Sequence, residues 1–197
     1  MIIYCFSGLG ADKRVFDFLK LDSYFDLITI DWVRPMENET IEKYSRRISG
    51  FINIQRPFGI LGVSFGGIVA QEVSSILNPN FTIIISSIGN ARQIPFVLSA
   101  FPNIVLKIIP FQFFRLPRVV ANYVFSAKNK NLLHQILKDT DPEFVKWAII
   151  AFKNWKSNEL YPKAFFLSGA KDRLFKPKKG ITQIENAGHF MIVDSSK

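Results

Sequence analysis

The sequence predicts an α/β fold in which a mostly parallel sheet of about six strands is flanked by helices. Apolar, strand-like segments alternate with helix-like segments, an order typical of parallel strands joined by helical crossovers. Several strand segments are apolar at nearly every position, as strands covered on both faces are. With 197 residues, 48% of them hydrophobic, the chain can bury a full core, and we expect a single domain over 1–197.

Each element has its own local signal. Six apolar runs rich in β-branched residues are the predicted strands, at 2–6, 26–32, 58–63, 81–86, 164–167 and 181–185. Helical periodicity predicts crossover helices at 40–53, at 67–77 and after position 141. Thr40 is a typical N-cap for the first, and Asn78 and Pro79 end the second. Asp141 and Pro142 suit the cap and first position of the third.

The net charge of +9 and an isoelectric point of about 9.7 suit three kinds of partner: nucleic acid, an anionic membrane or an acidic substrate. Lysines are scattered along the chain, and AT-rich codons would supply the same excess of Lys, Phe, Ile and Asn. The densest basic run, 171–179, is expected to be a solvated loop. We therefore predict no nucleic-acid binding.

Cysteine content and hydropathy indicate the compartment. Cys5 is the only cysteine, so no intrachain disulfide can form, which fits a reducing environment. The N-terminus has no basic region of the signal-peptide type. The longest apolar stretch, 104–114, is broken by Lys107, Pro110 and Gln112, well short of a membrane span. We expect a cytoplasmic protein without a transmembrane segment, and contact with a membrane surface stays open.

The segment Gly62-Val63-Ser64-Phe65-Gly66 has the pattern G-x-S-x-G between a predicted strand and a predicted helix. The turn is so sharp that the residues two before and two after the serine crowd each other, and glycine at both places relieves the clash. The serine is then strained, with its hydroxyl exposed at a helix N-terminus where free N–H groups stabilise an anion. A plain tight turn is the alternative, and the context favours a nucleophile.

A serine hydroxyl needs a base to accept its proton, and the chain has two histidines. His189 follows the last predicted strand, at the strand end where sites in open parallel sheets are found. His134 lies within 91–140, and its expected place is the surface of a helix. We therefore predict His189 as the base, with a loop histidine of no role as the alternative.

The base in turn needs a carboxylate that holds its tautomer. Asp172 lies just beyond the predicted strand 164–167, again at a C-terminal strand end. The other usual place for such an acid is 86–90, which contains no carboxylate. We predict Asp172 as the acid, and the alternative is a turn aspartate paired with Lys171 or Arg173.

The order Ser, Asp, His along the chain is expected for one particular fold. The motifs resemble those of the α/β-hydrolase family over nearly the whole chain. The segment 58–77 resembles its strand–nucleophile–helix unit, 168–172 its G-x-x-D loop and 187–190 its histidine loop. Residues 6–10 resemble the loop that supplies half of the oxyanion hole, and 91–140 resembles the family's cap.

The resemblance implies a serine hydrolase of ester or thioester bonds. Ser64 would attack the acyl carbon, His189 would carry the proton and Asp172 would orient the histidine. The backbone N–H groups of Leu9 and Phe65 would hold the oxyanion.

Three features depart from the family pattern. Ser7 stands where many members have histidine, the chain starts at the family's third strand, and the final helix is only a stub. The first two are compatible with a small member. The third is expected to lower stability or to leave an apolar patch.

The expected cap, 91–140, is rich in phenylalanine and proline. The ordinary role of these aromatics is to pack the insertion onto the sheet. A cap over the C-terminal strand ends would also wall an acyl pocket, with Phe111 and Phe114 as candidate substrate contacts. Solvated charge is the default role of its cations, and contact with an anionic leaving group or membrane is a second role for Arg92, Lys107, Arg115 and Arg118.

Other functions remain as alternatives. An acyltransferase would use the same three residues, and a hydrolase fold can serve as a binding module without catalysis. Gly8, Gly10 and Asp31 resemble a dinucleotide-binding pattern, but Lys13 stands where its third glycine would be. Two distant histidines and one cysteine give no metal-ligand spacing. We predict no metal and no cofactor, and a small ester or thioester with an apolar acyl group as the partner.

Overall fold

The computed structural model describes residues 1–114, 116–158, 161–178 and 180–195. Its strands are β1 (Ile2–Phe6), β2 (Asp26–Thr29), β3 (Phe58–Val63), β4 (Phe81–Ile85), β5 (Ala164–Gly169) and β6 (Thr182–Ile184). Within these ranges they form one six-stranded sheet in the order β2-β1-β3-β4-β5-β6, with every neighbouring pair parallel. The predicted fold class, a parallel sheet flanked by helices, is confirmed.

The α-helices of the described ranges are α1 (Ile41–Ser49), α2 (Phe65–Leu77), α3 (Phe96–Ala100), α4 (Asn103–Ile108), α5 (Arg118–Phe125), α6 (Lys130–Asp139), α7 (Pro142–Lys153) and α8 (Met191–Asp194). Short 3₁₀ helices lie at Lys13–Val15, Ala91–Gln93 and Phe111–Phe114. The side chains of Thr40 and Asp141 accept hydrogen bonds from the first turns of α1 and α7, as their sequences predict. In the part of the chain that the structure describes, no helix is long and apolar enough to cross a membrane.

Side chains of the central strands alternate between two cores, one on each face of the sheet. The core shared with α1 and α2 contains Tyr4, Phe6, Ile60 and Ile84. The core shared with α6 and α8 contains Ile3, Cys5, Leu61, Val63 and Ile85. Burial raises the pKa of the Cys5 thiol to about 12, so this residue is a neutral packing group at neutral pH.

Five aromatic side chains tie α7 to the domain; we call them the aromatic cluster, and they are Trp32, Tyr44, Phe65, Phe144 and Trp147. The rings of Tyr44 and Trp147 have centroids 4.5 Å apart, and those of Trp32 and Phe144 are 5.4 Å apart. Phe65, at the start of α2, contacts Phe144 and Trp147 edge-on. Strand β2 ends at Thr29, three residues before its predicted end, and Trp32 lies beyond the strand in the cluster.

A buried carboxylate secures the loop that leads into α1. Both oxygens of Glu39 accept hydrogen bonds from the guanidinium of Arg47, at 2.9 and 2.8 Å, and the backbone N–H of Met36 donates to one of them at 2.8 Å. The carbonyl of Glu39 accepts from the indole N–H of Trp147 at 2.8 Å. The hydrogen bond from Arg47 is the main reason that the pKa of Glu39 lies below its ordinary value of 4.5.

We expect Glu39→Gln to lower the free energy of unfolding by about 1–3 kcal/mol at neutral pH, because a charge-assisted pair is lost inside the protein. The folded-state pKa of Glu39 is depressed, so its contribution is present above its ordinary pKa of 4.5 and is lost as the pH falls through the folded value. Urea unfolding of both proteins at pH 7 and at lower pH measures this. The difference should shrink on acidification, and exposed Glu37→Gln is the matched control. Equal effects of the two substitutions at pH 7 would contradict the role of Glu39.

Candidate active site

Ser64 occupies the junction of β3 and α2 with φ 53° and ψ −120°, a conformation that residues other than glycine rarely adopt. A Cβ atom on Gly62 would collide with the carbonyl oxygen of Gly66, which is the crowding that the motif predicts. A Cβ atom on Gly66 would collide with the backbone of Phe6 and Ser7, so the turn also packs against the end of β1. Helix α2 begins two residues earlier than predicted because the whole turn is made at Ser64.

The structure brings Ser64, His189 and Asp172 together. Atom Nε2 of His189 lies 2.9 Å from Oγ of Ser64, and Nδ1 lies 2.8 Å from Oδ2 of Asp172. All three side chains are buried. The histidine thus bridges a hydroxyl and a carboxylate with its two ring nitrogens, the arrangement in which an imidazole can accept a proton from a serine.

Asp172 is held by the backbone as well as by the histidine. Its Oδ1 atom accepts hydrogen bonds from the N–H groups of Leu174 and Phe175, both at 2.9 Å. The rings of Phe125 and Phe175 lie on His189, with centroids 5.4 and 5.5 Å from the imidazole. The carboxylate therefore has its acceptors filled on both oxygens, and the imidazole has little freedom to rotate.

Asp172 and His189 meet because the loops after β5 and β6 interlock. The N–H groups of Ala170 and Lys171 donate to the carbonyls of Ile184 and Ala187, at 3.0 and 2.8 Å. A Cβ atom on Gly169 would collide with the backbone of Ala187, so glycine permits this close approach. The pairing of two adjacent parallel strands is thereby extended into the loops that carry Asp172 and His189.

The loop after β1 approaches Ser64 from the other side. A Cβ atom on Gly8 would lie 3.6 Å from Cβ of Ser64. Among the described residues, neither the N–H of Leu9 nor that of Phe65 has a hydrogen-bond acceptor. The hydroxyl of Ser7 donates to the carbonyl of Ala11 at 2.7 Å, so the residue that departs from the family pattern closes this loop on itself.

This architecture has counterparts among solved structures. No protein-family model matches the sequence, and no curated protein sequence matches it. A lipase-esterase related protein from Clostridium acetobutylicum is 15% identical, with a TM-score of 0.73 over 99% of this chain and 89% of its own. A thermophilic esterase from Thermogutta terrifontis is 14% identical, with a TM-score of 0.74 over 99% and 85%. The RedJ thioesterase from Streptomyces coelicolor is 12% identical, with a TM-score of 0.63 over 98% and 84%.

The chain has the α/β-hydrolase fold. At identities this low the likeness establishes the fold alone. Ser64 lies at the position between strand and helix where this fold turns most sharply, and the side chains of His189 and Asp172 reach it from the ends of neighbouring strands.

A cavity of about 640 Å³ opens onto Ser64 and His189 in this α/β-hydrolase fold. Its lining is almost entirely apolar and comes from the loop after β1, from α7 and from the helical segment 91–140. Phe114 is among the lining residues, and Phe111 lies outside that lining. Helix α7 supplies a wall that was not predicted from the sequence, through Val145, Ala148, Ile149 and Phe152. Helix α7 is apolar around most of its circumference, but a core helix has the same pattern, so its sequence does not indicate which side faces a cavity.

The remaining sequence candidates lie elsewhere. Nε2 of His134 contacts the side-chain oxygen of Asn122 at 2.9 Å, joining α6 to α5. Arg173 lies over the ring of Tyr123, 4.2 Å from its centroid, and Lys171 donates to Asn186 at 2.8 Å, so both cations have partners other than Asp172.

Among the described residues, the cations that the sequence offered as substrate contacts do not line the cavity. Arg92, Lys107 and Arg118 are exposed, and Arg115 lies outside the described residues. Within the described ranges, no group of three or more His, Cys, Asp or Glu side chains could hold a metal ion. Three polar side chains are among the described residues that line the cavity: Ser64, His189 and Thr140. The Thr140 hydroxyl donates to the carbonyls of Gly10 and Ile136, so Ser64 and His189 are the pair positioned for chemistry.

Proposed function

We propose that this protein is a serine hydrolase that cleaves carboxylic ester or thioester bonds through an acyl-enzyme intermediate. The observation that carries the proposal is the line of two hydrogen bonds from Ser64 through His189 to Asp172, at 2.9 and 2.8 Å, which ends at an apolar cavity. The esterases and the thioesterase that share the fold support the same class of reaction.

The reaction begins when Oγ of Ser64 attacks the acyl carbon and Nε2 of His189 accepts the hydroxyl proton. Asp172 keeps the other proton on Nδ1 and stabilises the imidazolium without becoming protonated itself. The imidazolium then protonates the leaving alcohol or thiol, which departs and leaves Ser64 acylated. Water enters, His189 takes its proton, and a second tetrahedral intermediate collapses to release the acid and regenerate Ser64.

The negative charge of each tetrahedral intermediate requires donors that are in place beforehand. The N–H groups of Leu9 and Phe65 suit this role because no described group accepts from them and both residues line the cavity beside Ser64. Phe65 also begins α2, so the positive end of that helix faces the developing oxyanion.

Residues 91–140 act in this proposal as the cap of a single domain that spans 1–197. Its aromatic and aliphatic side chains line the cavity together with those of α7. The cavity lies within the volume range usual for small-molecule sites, and its apolar lining suits an acyl chain. The cap therefore selects substrates by the length of their apolar acyl group.

Ser64→Ala should lower ester turnover by several orders of magnitude, on the order of 10⁶ where a serine nucleophile has been removed from a comparable triad. The fold should survive, because one small hydroxyl is removed. Turnover of a p-nitrophenyl ester and labelling by a fluorophosphonate measure this, and the label should map to Ser64. Exposed Ser99→Ala is the matched control. A folded Ser64→Ala protein that keeps more than about a tenth of the activity would show that the nucleophile is another residue.

Asp172→Asn should reduce the turnover number by up to about 10⁴, because the amide favours the wrong tautomer of His189. Asp141→Asn is the matched control, since Asp141 caps α7 and does not contact the histidine. Steady-state kinetics on one ester compares the two. Equal losses in both variants would mean that position 172 has no special role.

The cap proposal predicts how acyl length changes the rate. Across p-nitrophenyl esters of two to twelve carbons, kcat/KM should rise toward six or eight carbons by up to about fourfold per methylene. Ala148→Leu, which enlarges a side chain in the cavity wall, should lower the constant for octanoate more than for acetate. Exposed Ala100→Leu serves as the control. A steady fall from acetate onward would indicate a small pocket and a cap that serves packing alone.

A further inference from the structure

The helical segment 91–140 is apolar on its outside as well as on its inside. Twenty large apolar side chains are exposed in the described ranges, and twelve of them fall between residues 96 and 123. They are Phe96, Val97, Phe101, Ile104, Val105, Ile108, Phe111, Phe113, Leu116, Val119, Val120 and Tyr123. Such a concentration of exposed apolar side chains is typical of an interaction surface rather than of a solvated one.

Helices α4 and α5 illustrate the two-sided pattern. In α4, Leu106 is buried in the cavity wall, whereas Ile104 and Ile108, one turn apart, are 64% and 73% exposed. In α5, Ala121 is fully buried, whereas Val119 is 81% exposed. A helix that is apolar all round normally lies in a core or against lipid, and these two have one covered and one uncovered side.

The same segment accounts for most of the protein's net positive charge. It contains seven lysine and arginine residues and one acidic residue, Asp139, so it accounts for six of the nine net charges. The carboxylate of Asp139 is paired with Arg14, outside the segment, at 2.9 Å. The basic side chains that the structure describes are all exposed: Arg92, Lys107, Arg118, Lys128, Lys130 and Lys138.

We propose that the outer face of segment 91–140 docks the protein on anionic lipid bilayers. Exposed apolar side chains that enter the headgroup boundary, combined with cations that face anionic lipids, are the two signals that together give stable peripheral binding. Charge complementarity selects an anionic bilayer over a second copy of this chain, because two such surfaces would bring like charges together.

The docking face is continuous with the cavity. Val97, Phe101 and Leu116 are exposed and also line the cavity, so they form its rim. An acyl chain in the bilayer could pass over this rim to Ser64 without crossing water. This supply of substrate from the membrane rests on the proposed hydrolase function, whereas docking itself does not.

The test is co-flotation with vesicles of phosphatidylcholine containing about one third phosphatidylglycerol, or none. Wild type and Ser64→Ala should float equally with the anionic vesicles. The triple variant Phe96→Ser, Phe113→Ser, Val119→Ser should lose binding by at least about tenfold, because it removes three of the most exposed apolar side chains of the docking face. These side chains lie outside the cavity lining, so hydrolysis should be kept. Lys107→Glu with Arg118→Glu should lower binding to anionic vesicles by at least about tenfold and have little effect on neutral ones.

The matched control is Tyr24→Ser, Met36→Ser, Ile54→Ser, which removes three exposed apolar side chains elsewhere and should bind like wild type. Hydrolysis of soluble p-nitrophenyl butyrate and thermal unfolding should be unchanged in all of these variants except Ser64→Ala, whose hydrolysis is lost. The docking proposal is overturned if the wild type does not bind anionic vesicles. It is also overturned if the Phe96→Ser, Phe113→Ser, Val119→Ser variant binds them as well as the control variant does. If the wild type binds no vesicles but forms a dimer, and only the Phe96→Ser, Phe113→Ser, Val119→Ser variant is monomeric, the face serves self-association instead. Binding without any esterase activity would leave docking intact and refute the proposed function alone.

Discussion

The turn at Ser64 is the constraint on which the rest of the site depends. Its backbone is held from three directions: Ser64 N–H donates to Ile85 at 2.9 Å, Ser87 Oγ donates to the Ser64 carbonyl at 2.6 Å, and Gly67 N–H donates to the same carbonyl at 2.9 Å. Strain of this kind costs about 1–3 kcal/mol and persists only where the surroundings over-determine it. The close packing of Gly66 against the end of β1, together with these hydrogen bonds, holds the turn in its strained conformation.

The strained turn also orients the polar groups of two consecutive residues. One residue, Ser64, presents its hydroxyl to His189, and the next, Phe65, presents an N–H without an acceptor in the described part of the chain. The ring of Phe65 enters the aromatic cluster, which packs it against Phe144 and Trp147 of α7. The turn at Ser64 and helix α7, which lines the cavity, are therefore held together by direct contact.

The parallel six-stranded sheet, the caps at Thr40 and Asp141, and the placement of Ser64, Asp172 and His189 at strand ends could be predicted from the sequence. They depend on local periodicity, short turn motifs and the shared edge where parallel strands end. The wall from α7 could not be predicted in the same way. Its residues Val145 and Ala148 have the pattern of any core helix, and only packing through Trp147 decides that one side faces a cavity. The exclusion of Phe111 from the lining likewise depends on how a 3₁₀ turn orients one ring among several.

Within the segment 91–140, helix α4 takes its position from α7, whereas α6 packs in the core on the sheet. The ammonium of Lys146 donates to the carbonyls of Lys107 and Ile109 at 2.6 and 2.7 Å, and that of Lys153 donates to Asn103 at 2.9 Å, so α4 is held by polar contacts at both ends. Helix α7 is itself packed on Phe65 through the aromatic cluster. The position of α4 therefore depends, through α7, on the turn at Ser64. Packing of the inner side of the segment on α7 and the sheet is enough to position it. Its outer apolar side chains can therefore stay uncovered without changing the cavity. The turn that places the Ser64 hydroxyl beside His189 therefore also helps to determine the position of α4 in the cavity wall.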